Sequence, residues 1–353
     1  MTVVFAILMF SFLIFIHEFG HFITAKLSGV RVNEFAIFMG PAIVKWQRGE
    51  TQYSIRCIPI GGYCAMEGED ADTEDPHSFQ KAAWWKRLAI LLAGSAMNFV
   101  AGVLIMVMVF MPAKQFVAPQ IASFESFSTV CGENGLQVGD EIVAVDGEKI
   151  YVQSDFSMLL AMNPGDTHDL VVLRSGKKVT LDNFLMEKHE VTDENGNTQM
   201  LYGMNFAVVD ADLGHKLDYA WKTTLNTARS VRLSLQMLFS GKAGISDMTG
   251  PVGIVQIMSD KAATSETALD ALLNMLYFGG FIAINLAIMN LLPIPALDGG
   301  RAVALLLTTG FEKITGKKPD PKYEGYIHGI GMILLLGLMA LIMFKDIFMI
   351  FKG

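Results

Sequence analysis

The sequence predicts a polytopic α-helical membrane protein of about four transmembrane helices, with a cytoplasmic-side, membrane-associated β-hairpin and an extracytoplasmic mixed α/β domain. Three observations predict this fold class. Hydrophobic residues make up 52% of the 353 residues, a high share for a soluble domain. Four apolar segments approach the roughly 20 residues that a helix needs to cross the hydrocarbon core. The two polar stretches between the first three segments contain alternating polar and apolar residues, the pattern of β-strands.

The four apolar segments cover residues 3–24, 88–111, 272–295 and 328–350. The first has no basic region before it and no small-residue cleavage site after it, so we expect a retained span rather than a removed signal peptide. Polar residues interrupt the first and third segments. Because ionisable groups at membrane depth are costly, these interruptions indicate functional sites.

The distribution of basic residues predicts the topology. No basic residue precedes the first span, and cytoplasmic loops carry the excess of lysine and arginine. The N-terminus is therefore expected outside and the first loop inside, since this loop contains Lys26, Arg31, Lys45, Arg48, Arg56, Lys81, Lys86 and Arg87. The stretch from 112 to 271 then lies outside, as do both ends of the chain.

The polar stretches have their own patterns. Residues 31–63 alternate around a turn at 47–50, which predicts a β-hairpin. At the membrane edge such a sheet must be covered or must line a cavity. Residues 116–210 are expected to form one small mixed domain, with a solvated hairpin tip at Val191–Gln199. From 213 to 240, apolar residues recur every three or four positions, as in an amphipathic helix.

His17, Glu18 and His21 form an HExxH motif in the first span. Positions i and i+4 share one face of a helix, so the two imidazole rings can bind one tetrahedral metal ion. The glutamate between them can take a proton from a metal-bound water. Without a metal these side chains would be costly in an apolar span, where a central charge costs roughly 2.5–3.5 kcal/mol. The chemistry also needs a third protein ligand.

Asp298, in the sequence NLLPIPALDGGR, is the leading third ligand. Two prolines prevent a regular helix from continuing and two glycines let the chain turn, so the carboxylate can point into the helix bundle. The first and third spans run in the same direction, which brings Asp298 to the depth of the histidines. Its alternative role is the N-cap of a helix that begins near Arg301. The other candidate ligands in cytoplasmic segments are Glu34, Glu67, Glu69 and Asp70.

HEFGH and NLLPIPALDGGR, with a long external insertion between them, resemble the motifs of the bacterial site-2 proteases, which perform regulated intramembrane proteolysis. GPAIVKW and IPIGGYCAMEGE resemble that family's membrane-associated β region, WWKRLAILLAGSAMN its second core span, and DMTGPVGI the segment before its third. NGLQVGDEIVAVDG resembles a single PDZ domain. Two positions depart from the family: Phe38 and Met39 replace part of a glycine-rich FxxGxGP run, and Ser95 replaces a proline.

The resemblance implies that His17, His21 and Asp298 bind Zn²⁺. Glu18 would act as the general base, and Asn290 would hold the substrate. The implied activity is that of a zinc metalloendopeptidase in the bacterial inner membrane, with its active site towards the cytoplasm. Its substrates would be single-span membrane proteins or peptides, such as anti-sigma factors or remnant signal peptides. The PDZ domain either binds peptide ends or acts as a size filter, and the oligomeric state is left open.

The expected organisation is, in chain order, a first transmembrane helix with HExxH (1–30), a cytoplasmic-side β region (31–87), a second transmembrane helix (88–112), an extracytoplasmic PDZ domain (116–210), an amphipathic helix and linker (211–270), a third transmembrane segment with the LDG motif (271–300), a cytoplasmic loop (301–327) and a fourth transmembrane helix (328–353). One alternative is a membrane-anchored zincin of another family, with a soluble catalytic domain and a glutamate as third ligand. Another is a non-catalytic scaffold that holds a partner through its PDZ domain. The net charge of −8, without a basic patch, argues against nucleic acid as a partner.

Overall fold

The computed structural model describes residues 2–69, 73–163, 165–192, 198–244, 247–316 and 321–352. The chain divides into two units, Met1–Val109 with Thr227–Gly353, and Phe110–Asn226. The helices are α1 (Thr2–Ser28), α2 (Trp84–Phe110), α3 (Ser154–Met162), α4 (Leu213–Phe239), α5 (Pro251–Ala263), α6 (Ala268–Asn290), α7 (Asp298–Thr315) and α8 (Pro321–Lys352). The strands are β1 (Val32–Arg48), β2 (Thr51–Met66), β3 (Gln115–Phe124), β4 (Glu141–Val145), β5 (Glu148–Lys149), β6 (Thr167–Arg174), β7 (Lys177–Leu185), β8 (His189–Thr192), β9 (Thr198–Leu201) and β10 (Met204–Asp210).

Four of the described helices are long and apolar enough to cross a membrane, namely α1, α2, α6 and the Gly325–Met349 part of α8. They fit the predicted polytopic membrane fold. The third predicted segment is too long at its end, because α6 stops at Asn290. Proline lacks an N–H and disfavours helical conformation in the residue before it, so Pro293 and Pro295 end the helix.

The helix predicted to begin near Arg301 begins earlier, at Asp298. Asp298 therefore belongs to the first turn of α7, and the N-cap position is occupied by Leu297. A carboxylate in this turn is stabilised by the positive end of the helix dipole. The dipole thus favours the ionised form of Asp298, which is the form that can bind a metal.

Glycines let the candidate spans of the first unit approach one another. A Cβ atom at Gly20 of α1 would lie 2.5 Å from the carbonyl oxygen of Ala93 in α2. A Cβ atom at Gly279 of α6 would lie 2.6 Å from the side chain of Met9 in α1. Small residues at such contacts are typical of helices that pack inside membranes. The three helices share a buried cluster formed by Met9, Leu13, Ile105, Ile282 and Ala283.

β1 and β2 form an antiparallel pair joined by a turn at Gly49 and Glu50. The pairing is more elaborate than the predicted hairpin, because residues 34–37 have Cα partners both in 52–55 and in 62–65. Shifts in the strand register accompany this double pairing. The sheet therefore has several short paired segments, and the last of them along the chain ends at Met66.

One departure from the family pattern falls where the backbone of β1 has positive φ angles. Phe38 has φ 71° and Gly40 has φ 82°, so both adopt the left-handed conformation that glycine enters without strain. For another residue this conformation costs about 1–2 kcal/mol. Phe38 thus adopts a strained conformation that a glycine at this position would adopt freely.

The sheet packs onto the helices near the HExxH motif. One buried cluster joins side chains of the two strands, α1, α2 and α7, and its members include Ala25, Phe35, Cys64, Met66, Ile90 and Leu305. The cluster excludes water from the contact between sheet and helices, and burying such side chains is the main stabilising term. It fixes the end of β2 next to the C-terminal half of α1.

The second unit contains a six-stranded sheet with the order β10-β3-β4-β6-β7, in which β5 pairs with β4. Phe156, Leu159 and Leu160 of α3 are buried in this unit. β8 and β9 form a separate two-stranded ribbon where the sequence predicts a hairpin tip, and residues 193–197 of that tip lie outside the described residues. The PDZ assignment of this region stays a prediction.

Candidate metal centre

Three potential metal ligands converge in the first unit. His17 and His21 lie one turn apart in α1, and Asp298 lies in the first turn of α7. The Nε2 atoms of the two histidines are 3.2 Å apart. The Oδ2 atom of Asp298 lies 3.1 Å from Nε2 of His17 and 3.4 Å from Nε2 of His21. These three residues form a group that could hold a metal ion.

The spacing of the three atoms fits zinc. Zn–N and Zn–O bonds of about 2.0–2.1 Å in a tetrahedron place neighbouring ligand atoms about 3.3 Å apart, close to the observed 3.1–3.4 Å. Oδ2 of Asp298 is buried and, among the described residues, has no hydrogen-bond partner of good geometry. A buried oxygen in this state is costly unless another group satisfies it. A cation bound between the three atoms would do so.

The second ring nitrogen of His21 also fits metal binding. Nδ1 of His21 lies 2.8 Å from the carbonyl oxygen of Ile90 in α2. A carbonyl can only accept, so Nδ1 carries the proton and donates it. The lone pair of a neutral imidazole then lies on Nε2, and such an outer hydrogen bond is typical of metal-binding histidines.

Gly94 of α2 provides the space in which the histidines meet. A Cβ atom at this position would lie 2.4 Å from Nε2 of His21 and 2.7 Å from Cε1 of His17. Both contacts are shorter than non-bonded atoms allow. A side chain at position 94 would therefore displace the imidazole rings, which makes glycine a steric requirement of the site.

The turn between α6 and α7 directs Asp298 towards the histidines. Ala296 has φ 78°, and its N–H donates a 3.0 Å hydrogen bond to Nδ1 of His328 in α8. A Cβ atom at Gly299 or Gly300 would lie 2.3 or 2.2 Å from backbone oxygens of the turn. The LDGG sequence is thus needed for the close approach of α7 to the segment that precedes it.

The metal group opens onto a cavity of about 610 Å³. Glu18 lines this cavity together with the three candidate ligands, and residues 63–66 of β2 form part of its wall. Arg301 of α7 and Glu69 also line it and form an ion pair with each other. The cavity therefore combines a possible metal site, a carboxylate base and a sheet segment.

The other predicted ligands that the structure describes do not belong to the group formed by His17, His21 and Asp298. Burial alone would raise the pKa of Glu34, but hydrogen bonds from Ser54 and Arg56 outweigh this effect and lower its pKa to about 2. Glu67 accepts a hydrogen bond from Asn33. Glu69 forms an ion pair with Arg301. Asp70 lies outside the described residues.

Asn290 is the last residue of α6 and is half-buried. It is not among the described residues that line the cavity around His17. Its predicted role in holding substrate stays a prediction.

The sequence did not predict three residues that contact the metal group or the turn before α7, namely Gly94, Asn98 and His328. Asn98 and His328 are polar residues inside apolar segments, a signal that could have drawn attention to them. Gly94 and Asn98 are also four residues apart, so they share the face of α2 that meets the histidines. A single glycine in a membrane span carries no comparable signal.

Comparison with known proteins identifies the family of the chain. The model of peptidase family M50 matches residues 5–338. A Clostridium acetobutylicum protein named "Putative zinc metalloprotease" is 36% identical over 349 residues, which cover 98% of this chain and 97% of the relative. "Regulator of sigma-W protease RasP" of Bacillus subtilis is 27% identical, with 98% of each chain covered. The chain therefore belongs to peptidase family M50, the site-2 protease family, and is a zinc metalloprotease.

Proposed function

We propose that this zinc metalloprotease cleaves peptide bonds within or beside the bilayer, in the transmembrane segments of single-span proteins or peptides. One observation carries the proposal. The two histidines lie in α1, and the groups that surround them, the Ile90 carbonyl and Gly94, lie in α2. Both helices are candidate membrane spans. A substrate peptide bond must therefore come to the depth in the bilayer at which these helices hold the histidines.

In this proposal His17, His21 and Asp298 hold the zinc ion. Bound zinc supplies an acidified water and polarises the scissile carbonyl. Glu18 lines the same cavity, and its carboxylate accepts a proton from the attacking water and later donates it to the leaving amine. The outer nitrogen of His21 keeps its hydrogen bond to the carbonyl of Ile90.

The substrate is expected to bind in an extended conformation. Residues 63–66 of β2 line the cavity, and 62–65 pair on one side with 34–37. A peptide that adds alongside this segment would expose its carbonyl groups to the metal. A transmembrane helix must unwind for this, because its carbonyls are otherwise held in internal hydrogen bonds. Asn290 would hold the substrate backbone or steady the oxyanion through its amide.

We infer that the active site lies towards the cytoplasm of a bacterium, in its inner membrane, and that residues 116–210 form an external PDZ domain that binds peptide ends or limits substrate size. The excess of basic residues in the first loop supports this orientation. The name of the Bacillus subtilis relative, a regulator of sigma-W protease, supports an anti-sigma factor as substrate. Remnant signal peptides are the other substrate class.

The proposal is tested with purified full-length protein and a single-span substrate in detergent or vesicles. Glu18→Gln should abolish cleavage, because an amide cannot accept the proton, yet it should leave stoichiometric zinc in place. Glu50→Gln, which changes an exposed glutamate in the β1–β2 turn, serves as the matched control and should cleave normally. Turnover by the Glu18→Gln protein would contradict the mechanism. Cleavage limited to soluble peptides would contradict the membrane substrate.

A further inference from the structure

Asn98 is a buried polar residue beside the metal group. It lies in α2, one helical turn after Gly94, and only 1% of its surface is exposed. Its amide nitrogen lies 3.4 Å from Nδ1 of His17. Its amide oxygen, Oδ1, is buried and has no hydrogen-bond partner among the described residues. A buried amide with one unpartnered atom is costly, so the orientation of the Asn98 amide depends on which of its atoms the ring of His17 needs.

A rotation of the amide by half a turn exchanges its two atoms and gives Oδ1 a possible donor in Nδ1–H of His17. The oxygen and nitrogen of an asparagine amide have nearly the same shape, and their hydrogen-bond partners decide which is which. The rotation places Oδ1 next to Nδ1 of His17. Nδ1 can then donate its proton to Oδ1, which leaves the lone pair of His17 on Nε2. This is the nitrogen that faces His21 and Asp298.

The opposite orientation excludes metal binding by His17. If the amide nitrogen donates to Nδ1, the proton of the neutral ring must lie on Nε2. A protonated Nε2 has no lone pair for a metal ion. The orientation of one amide therefore decides which tautomer His17 adopts.

We propose that Asn98 is a positioning residue that accepts a hydrogen bond from Nδ1–H of His17 and so holds its ring ready for zinc. α2 then supplies the outer partner of both histidines, the Ile90 carbonyl for His21 and the Asn98 side chain for His17. The inference rests on the proposed function, since it needs His17 as a ligand. Removal of such an outer partner typically weakens metal binding about 10–100-fold.

Zinc affinity of the full-length protein, measured by competition with a chromophoric chelator, tests this role. Asn98→Leu keeps the approximate size but removes the acceptor, and we expect zinc binding to weaken about 10–100-fold. Asn98→Asp keeps an acceptor and should bind within about threefold of wild type, since a carboxylate beside a metal-binding histidine is a common partner. Ser95→Ala is the matched control, because Ser95 is buried in the same helix and its Oγ has no partner among the described residues.

A second readout separates positioning from general stability. Peptidase activity of Asn98→Leu should recover when free zinc is raised, and its thermal midpoint without zinc should equal that of the zinc-free wild type, whereas a packing defect would lower the zinc-free midpoint. Two results would overturn the inference: wild-type zinc affinity in Asn98→Leu, or equally weak binding in Asn98→Asp and Asn98→Leu. A His17→Ala protein identifies the reason for failure. If it binds zinc like wild type, the proposed metal site is wrong, and if it alone loses zinc, only the role of Asn98 is wrong.

Discussion

At the scale of single residues, Gly94 leaves the room in which the two imidazole rings of the metal group meet. A Cβ atom at this position would clash with both rings, so the room for them exists because position 94 lacks a side chain. The histidines could be predicted from their spacing, since residues four apart share a helix face. Gly94 could not, because a glycine in an apolar span serves many packing roles and only the fold places it beside His21.

Gly94→Ala should reduce zinc occupancy strongly, because the added methyl group would lie 2.4 Å from Nε2 of His21 and must push the ring away. We expect at least a tenfold loss of zinc affinity, as for other disturbances of ligand orientation. Metal analysis after dialysis against buffered zinc measures it. Gly310→Ala in α7 is the matched control, because its Cβ would meet no described atom within 4 Å. Equal zinc content in the two variants would contradict the steric argument.

At the scale of elements, α8 holds the N-terminus of α5 in place. Asp346 of α8 is buried, and its Oδ2 accepts hydrogen bonds from the N–H groups of Gly250 and Gly253 at 2.9 and 3.0 Å. The first N–H groups of a helix lack partners within the helix and attract negative charge. Asp346 thus caps the N-terminus of α5, the short helix that precedes α6.

Asp346→Ala should lower the thermal midpoint of the purified protein, since hydrogen bonds to a charged group each contribute about 1.5–3 kcal/mol. Gly250→Ala should do the same, because its Cβ would lie 2.8 Å from Oδ2 of Asp346. In the double variant the second change should cost less than it does alone. Asp260→Ala, at an exposed position of α5, is the control. Additive losses would show that Asp346 and Gly250 are not coupled.

The turn before α7 has some features that the sequence predicts and others that depend on residues far away in the chain. Its prolines and glycines predict that a helix ends and that Asp298 follows a bend, and both features are observed. The direction of the bend depends on Ala296 and on its hydrogen bond to His328. That partner belongs to another helix, so local pattern could not reveal it. The irregular pairing of 34–37 was missed for the same reason, because one segment has partners in two distant ranges.

At the scale of the whole molecule, the candidate ligands join elements from opposite parts of the chain. α1 contributes two of them and α7 contributes the third. A metal bound at this position cross-links the helices, and any ligand that binds only the folded state stabilises that state. The stability of the first unit should therefore depend on zinc.

Removal of zinc by a chelator should lower the thermal midpoint of the wild-type protein, and addition of zinc should restore it. An Asp298→Ala protein should start with a lower midpoint and respond little to either treatment, because its third ligand is missing. The shift for wild type should correspond to about 2.7 kcal/mol when free zinc is 100 times the dissociation constant. An equal response of the two proteins would exclude Asp298 as a ligand.

The distance along the chain between the histidines and Asp298 has a consequence for biosynthesis. The ribosome makes α1 first, and it makes α7 only after the sheet, the second unit and α6. Until Asp298 emerges, a nascent chain can offer zinc only the two histidines, which is one ligand short of a protease site. The enzyme should therefore stay inactive during its own insertion until α7 has been made.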